Sequence, residues 1–165
     1  MRIIVDGYNL IRQWPELAML DRSDLQEGRA ALLHELQAYQ RLRRHDIIVV
    51  FDGQAAADGG ADRAGGITVR YSRQGETADD VIARLAAESQ AGTVVVSSDR
   101  AVQASADRHR VAAISAQEFM ARIESSHVAE LKGEDEEAPR VKTGKGTARR
   151  LPKSQRRTER RLKGL

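Results

Sequence analysis

The sequence predicts an α/β fold, a three-layer α/β/α sandwich built on a mainly parallel five-stranded sheet. Three observations predict it. Ile3-Ile4-Val5, Ile47-Ile48-Val49-Val50-Phe51 and Thr93-Val94-Val95-Val96 are continuous, largely β-branched runs of strand length, as expected of parallel strands covered on both faces. Segments with helical periodicity separate most of these runs, which implies crossovers packed on the sheet. Each run also leads into a carboxylate: Asp6, Asp52 and, after Ser97-Ser98, Asp99. Carboxyl ends of parallel strands open onto the functional crevice of such a sheet.

The elements follow in order. The first strand ends at Asp6, and Gly7 lets the chain turn sharply there. Trp14-Pro15-Glu16-Leu17 reads as a turn or short helix. Ser23 followed three residues later by Gln26 has the form of a capping box. The helix behind it carries Leu25, Leu32, Leu33, Leu36 and Tyr39 at a spacing near 3.6 and ends in Arg41, Arg43 and Arg44, cations that complement its dipole. A strand over 46–51 comes next. Residues 53–66 are rich in Gly and Ala and read as a loop at the functional edge. Ile67–Tyr71 alternates weakly, as an edge strand does. Thr77 is a candidate N-cap with Asp79 and Asp80 in the first turn behind it. A strand over 93–97, a helix from about Arg100, a short strand over 110–114 and a last helix carrying Phe119, Met120 and Ile123 complete the domain, placed at 1–127. The sheet order that accommodates these connections is 3-2-1-4-5.

The chain has 165 residues and a net charge of +3, but the charge is divided. Residues 1–131 hold 15 Lys and Arg against 19 Asp and Glu, a balance of −4, and residues 132–165 hold 12 against 5, a balance of +7. Residues 128–165 are read as a basic tail too poor in apolar side chains to fold alone, able to become helical over 153–163 on a polyanionic partner. There is no cysteine, which excludes a disulfide framework, a thiolate nucleophile and a Cys-type zinc site. The apolar runs are too short to span a bilayer, and the start of the chain lacks a signal-peptide pattern, so a cytoplasmic location is expected.

Asp6, Asp79 and Asp99 are the central candidates. Taken singly, each can be read as a cap or a first-turn acid. Taken together, they lie after the first strand, before the helix leading to the fourth, and after the fourth, three places that are neighbours in this sheet. Carboxylates gathered at one edge repel one another unless a cation compensates them, and oxygen ligands suit Mg²⁺ or Mn²⁺, one or two ions. Asp80 is a further candidate ligand, and Asp52 and Glu76 are candidate outer groups. Arg73 and Arg100 are placed to contact phosphate, Tyr8 to stack on a base, and Asn9 to orient Asp6 or a phosphate. His34, His45, His109 and His127 do not follow strand ends and are assigned to packing or surface.

The motifs Val5-Asp6-Gly7-Tyr8-Asn9, Trp14-Pro15-Glu16-Leu17, Val49-Val50-Phe51-Asp52, Gly75-Glu76-Thr77-Ala78-Asp79-Asp80 and Ser97-Ser98-Asp99-Arg100 together resemble the YacP-like NYN domain family, over about residues 1–125. The resemblance implies a PIN-like fold and a metal-dependent, ribosome-associated endoribonuclease acting on messenger RNA. It assigns Asp6, Asp79 and Asp99 to the family's acidic positions and Asn9 to its amide. It also implies products with 5′-phosphate and 3′-hydroxyl ends. The sequence departs from the family pattern at Asp80, where Glu is frequent, and in the Gly/Ala-rich 53–66 segment, where relatives are more basic.

Two readings stand beside each other. One is hydrolysis of RNA by a metal-activated water. The other is a non-catalytic RNA- or ribosome-binding module acting through the basic tail. A small-molecule phosphatase of the Asp-x-Asp type is disfavoured, because Gly7 and Tyr8 follow Asp6.

Overall fold

The computed structural model describes residues 1–53 and 61–132. Of the tail expected over 128–165, residues 133–165, including the segment 153–163, lie outside the described residues. Six strands form one sheet: β1 (Arg2–Asp6), β2 (Asp46–Phe51), β3 (Ala61–Ala64), β4 (Ile67–Tyr71), β5 (Thr93–Val96) and β6 (Ala112–Ile114). Six helices accompany them: α1 (Gly7–Gln13), α2 (Pro15–Ser23), α3 (Leu25–Arg43), α4 (Ala78–Ala87), α5 (Arg100–Arg108) and α6 (Ala116–Lys132). The last helix thus runs past position 127, where the domain was expected to end. Among the described residues no helix is long and apolar enough to cross a membrane.

The sheet order is β3-β4-β2-β1-β5-β6, parallel throughout except for β3. Without β3 this is the expected 3-2-1-4-5 order. The sixth strand arises inside the segment read as a loop: Ala64 pairs with Ile67, and Gly65 and Gly66 between them both have positive φ, 55° and 95°. A two-residue turn with positive φ at both positions matches the twist of antiparallel strands, and glycine adopts it without a Cβ penalty. β3 therefore covers the flank of β4, which is not the edge strand its alternation suggested.

The period of two along each strand divides the core. Ile3 and Val5 of β1 pack with Val49 and Phe51 of β2 against α1, α3 and α6, where Leu10, Leu32, Leu36, Tyr39 and Phe119 are fully buried. Ile4, Ile48, Val50 and Val95 face the opposite way, against Val81 and Ile82 of α4 and Val102 and Ala106 of α5. This is the three-layer sandwich. Strands buried on both faces explain why their sequences are unbroken apolar runs.

Two local expectations are corrected. Ser23 is the last residue of α2 and does not cap α3; Asp24 caps it, accepting the Gln26 N–H at 2.7 Å. A carboxylate placed one residue nearer the helix reaches the same free donors. Leu25, counted on the apolar face of that helix, is half exposed at 52% because it stands in the first turn, beyond the sheet.

Candidate active site

Asp6 is the last residue of β1 and the N-cap of α1. By alternation it follows Ile4 onto the α4/α5 face. It is only 8% exposed, and both carboxylate oxygens are held: Oδ1 accepts the Asn9 N–H at 3.2 Å, and Oδ2 accepts the Ser97 hydroxyl at 2.9 Å. Burial pushes its carboxyl above the ordinary range, the Ser97 and Asn9 hydrogen bonds pull it back, and the charges of Asp79 and Asp99 push it up again. Gly7 sits here for space, not for backbone freedom. It is the first residue of α1, and a Cβ on it would stand 2.4 Å from Phe51 Cε1.

Asp99 is the N-cap of α5; its Oδ1 accepts the N–H groups of Ala101 at 2.6 Å and Val102 at 3.4 Å. Asp79 stands in the first turn of α4 and makes no hydrogen bond or ion pair among the described residues. Its carboxyl is raised by burial and then by the charges of Asp99, Asp52 and Asp80. The three central carboxylates, contributed by β1, α4 and α5, therefore share one electrostatic field. Asp52 joins this field from the end of β2, where it accepts the Ser72 hydroxyl at 2.7 Å.

Other expected residues take narrower places. Asp80 closes the capping box of α4, its Oδ2 accepting from the Thr77 N–H at 3.0 Å and the Thr77 hydroxyl at 2.7 Å, which holds its carboxyl below the usual range. It points back at Thr77 and reaches Asp79 through its charge. Glu76 is tied to Arg84 and to the Arg73 N–H. Burial pushes its carboxyl up, but these hydrogen bonds and the positive charge of Arg84 and Arg73 bring it below the ordinary value. Asn9 positions the site twice, through its N–H on Asp6 and its Oδ1, which accepts the Ser98 N–H at 2.7 Å. Arg73 and Arg100 are exposed at the same edge, and among the described residues neither side chain makes a hydrogen bond or ion pair. The Tyr8 hydroxyl accepts from Arg29. None of the four histidines touches these groups; His45 is buried at 8% exposure at the far end of the sheet.

Ser97 and Arg29 were not singled out in the sequence. Ser97 is fully buried and bridges Asp6 to the Asp99 N–H at 3.1 Å. The signal for it was the Ser-Ser-Asp transition from strand to helix. Arg29 is half-buried in the middle of a helix, and nothing local marks it.

Among the described residues no three His, Asp or Glu side chains are drawn closely enough to grip a metal ion as they stand. The donor chemistry does suit a hard divalent cation. All the groups are carboxylates, Asp6 and Asp79 are raised by burial first and by neighbouring carboxylates second, and among the described residues Asp79 has no other partner to satisfy its charge. Asp6, Asp79 and Asp99 are the residues that would hold such an ion.

Known proteins share this fold. The family model of the YacP-like NYN domain matches residues 3–163. The uncharacterized protein YacP of Bacillus subtilis (strain 168) is 33% identical over 85 residues, covering 51% of this chain and 50% of that protein; the match spans about half the length of that curated relative. A crystal structure of Rae1 (YacP) from Bacillus subtilis superposes with a TM-score of 0.68 at 28% identity, covering 81% of this chain and 79% of the other. A point-mutant structure of the same protein gives a TM-score of 0.65 at 25% identity, covering 100% and 92%. With a PIN-like sheet carrying the acidic residues at its carboxyl edge, the chain belongs to the YacP-like NYN domain family.

Proposed function

We propose that the protein is a divalent-cation-dependent endoribonuclease that hydrolyses RNA phosphodiesters, with messenger RNA presented on the ribosome in the cytoplasm as its substrate. The observation that carries the reading is the electrostatic coupling of Asp6, Asp79 and Asp99, three carboxylates from three elements: beyond the effect of burial, the charges of Asp79 and Asp99 raise Asp6 and that of Asp99 raises Asp79, and among the described residues none of the three has an ion-pair partner. Mg²⁺ or Mn²⁺ bound there supplies a more acidic water and charge neutralisation at phosphorus. Asp6 is the rigid member of the set, with both oxygens fixed by Ser97 and Asn9. Asp79 and Asp99 complete the grip, and Asp80 adds negative charge beside Asp79. Asp52 orients the outer margin through Ser72. Arg73 and Arg100 meet the phosphates that flank the scissile one. Attack by water in line with the departing 3′-oxygen leaves 5′-phosphate and 3′-hydroxyl ends.

The test is incubation of the full-length protein with RNA and Mn²⁺, on naked transcripts and on translating ribosomes. Asp6→Asn and Asp79→Asn are expected to abolish cleavage while RNA binding persists, and chelation is expected to do so reversibly. The +7 balance of residues 132–165 favours a second reading, binding without catalysis. Under it, truncation after Glu130 removes RNA or ribosome binding and the aspartate variants behave as wild type. Failure to cleave in both settings with Mn²⁺ present would overturn the nuclease reading.

A further inference from the structure

The carboxyl edge of the sheet has two sides. Asp6 and the other carboxylates lie toward α4 and α5. On the opposite side, Phe51 and Tyr71 end β2 and β4 with their rings stacked at 5.9 Å, and Tyr8 of α1 meets Phe51 edge-on at 5.2 Å. Arg29 of α3 stands over all three rings, its guanidinium carbon 5.4 Å from the centre of Tyr8 and 5.5 Å from those of Phe51 and Tyr71. Its Nε donates to the Tyr8 hydroxyl at 2.7 Å and its Nη2 donates to the same oxygen, which leaves Nη1 and the second Nη2 proton for a ligand. Arg12, exposed on α1, lies 5.9 Å from the same Tyr8 ring. Among the described residues neither arginine has a carboxylate partner.

We infer that Arg29 and Arg12, arrayed around Tyr8, form a phosphate clamp for single-stranded RNA on the face of the sheet edge opposite the carboxylates. The inference rests on RNA being the ligand. An arginine enclosed by three rings and fixed by a hydroxyl has already lost its rotamer freedom, so its remaining donors meet an anion at little further entropic cost. The rings accept the cation without neutralising it. Stability alone does not call for two uncompensated guanidinium groups at one edge, whereas a polyanion satisfies both. Tyr8 lies two residues from Asp6, so a strand with one phosphate over the carboxylates crosses the edge of the sheet and lays its next phosphates on Arg12 and Arg29. The clamp holds the chain by its backbone and reads no base.

The test is the affinity of the full-length protein for a single-stranded oligoribonucleotide of mixed sequence, measured with chelator present across a range of salt. Each phosphate that a variant no longer neutralises lowers the slope of log K against log salt by about 0.7. Arg12→Met and Arg29→Met are each expected to lower it by about that much, and the double variant by about twice as much, with the tail's contribution unchanged. Tyr8→Phe keeps both cations and is expected to lower affinity with the slope retained. Wild-type slopes in Arg12→Met and in Arg29→Met overturn the clamp; if Arg29→Met does not fold, a wild-type slope in Arg12→Met does so alone. Aspartate-dependent cleavage with wild-type slopes overturns the clamp and leaves the nuclease standing. Altered slopes without cleavage do the reverse. No binding by the wild-type chain overturns the clamp.

Discussion

The Ser97 hydroxyl donates to Asp6 Oδ2 at 2.9 Å across 91 residues of chain, and its oxygen accepts the Asp99 N–H at 3.1 Å. One fully buried hydroxyl thus registers the end of β1 against the start of α5 and sets the spacing of two of the three central carboxylates. Ser97→Ala removes a hydrogen bond that favours the charged form of Asp6, so the Asp6 carboxyl rises further. The acid limb of the cleavage profile is expected to move to higher pH. Stability is expected to fall by about 1.5–3 kcal/mol, the range for a hydrogen bond to a charged group. A pH–rate profile and urea unfolding at pH 7 check the two effects.

Repulsion among the carboxylates makes the metal-free site a source of instability. Asp79→Asn is expected to raise the melting temperature of the metal-free protein. Mg²⁺ or Mn²⁺ is expected to raise that of the wild type, by about 2.7 kcal/mol of stability at a hundredfold excess over Kd. The same ions are expected to leave Asp79→Asn little changed. Thermal scans with and without chelator check this, and an equal response of both proteins to the ions removes Asp79 from the ligand set.

Gly7→Ala is expected to destabilise the protein by about 1–3 kcal/mol, the usual cost of overpacking, because the new Cβ meets the Phe51 ring at 2.4 Å. That ring is fully buried and in contact with Tyr8 and Tyr71, so it has nowhere to retreat. Denaturant unfolding gives the magnitude. Phe51→Leu in the same chain is expected to recover part of the loss.

Thr77→Ala opens the capping box that holds the first turn of α4. A loss of about 1 kcal/mol is expected. Asp79 sits in that turn, so cation affinity is expected to fall with it. Calorimetric titration with Mn²⁺, alongside unfolding curves, separates a frayed site from a merely less stable fold.

Two buried groups pull stability in opposite directions with pH. The folded-state value of Asp6 lies above 3.8, so the folded state holds that proton more tightly than the unfolded state. Its contribution is present at low pH and is lost as pH rises through the folded value. His45 is lowered from 6.5 to about 4, by burial first and then by the charges of the N-terminus and Arg43. The unfolded state takes up that proton first, so His45's contribution is present above pH 6.5 and is lost on acidification toward about 4. The linked loss is of the order of 3 kcal/mol. Replacing His45 by Leu, at a position where Nε2 has no hydrogen-bond partner, is expected to flatten the pH dependence of unfolding between 6.5 and 4.

Much of the fold was legible because its signals are local. Unbroken runs such as Ile47–Phe51 announce strands buried on both faces, and the order of the five parallel strands follows from crossovers and chirality. Asp6, Asp79 and Asp99 were read as a group because strand ends and the turns beside them occupy known places in such a sheet. Thr77 was legible as a cap because capping spans only three residues. The hairpin at Gly65-Gly66 had a signal, a Gly pair, but its flanking strands lack the alternation that usually accompanies one.

The sequence by itself determined the five parallel strands and the longer helices, how those strands are ordered and which carboxylates follow them, since periodicity and chain connectivity suffice for these. The tertiary structure alone decided that Ser97 bridges Asp6 to Asp99, that Gly7 is small because Phe51 lies against it, that Asp80 turns back to Thr77, and that Arg29 is enclosed by Tyr8, Phe51 and Tyr71. Except for Asp80, each of these joins residues distant in the chain. Such a contact comes from the packing of whole elements, and no window of sequence contains it.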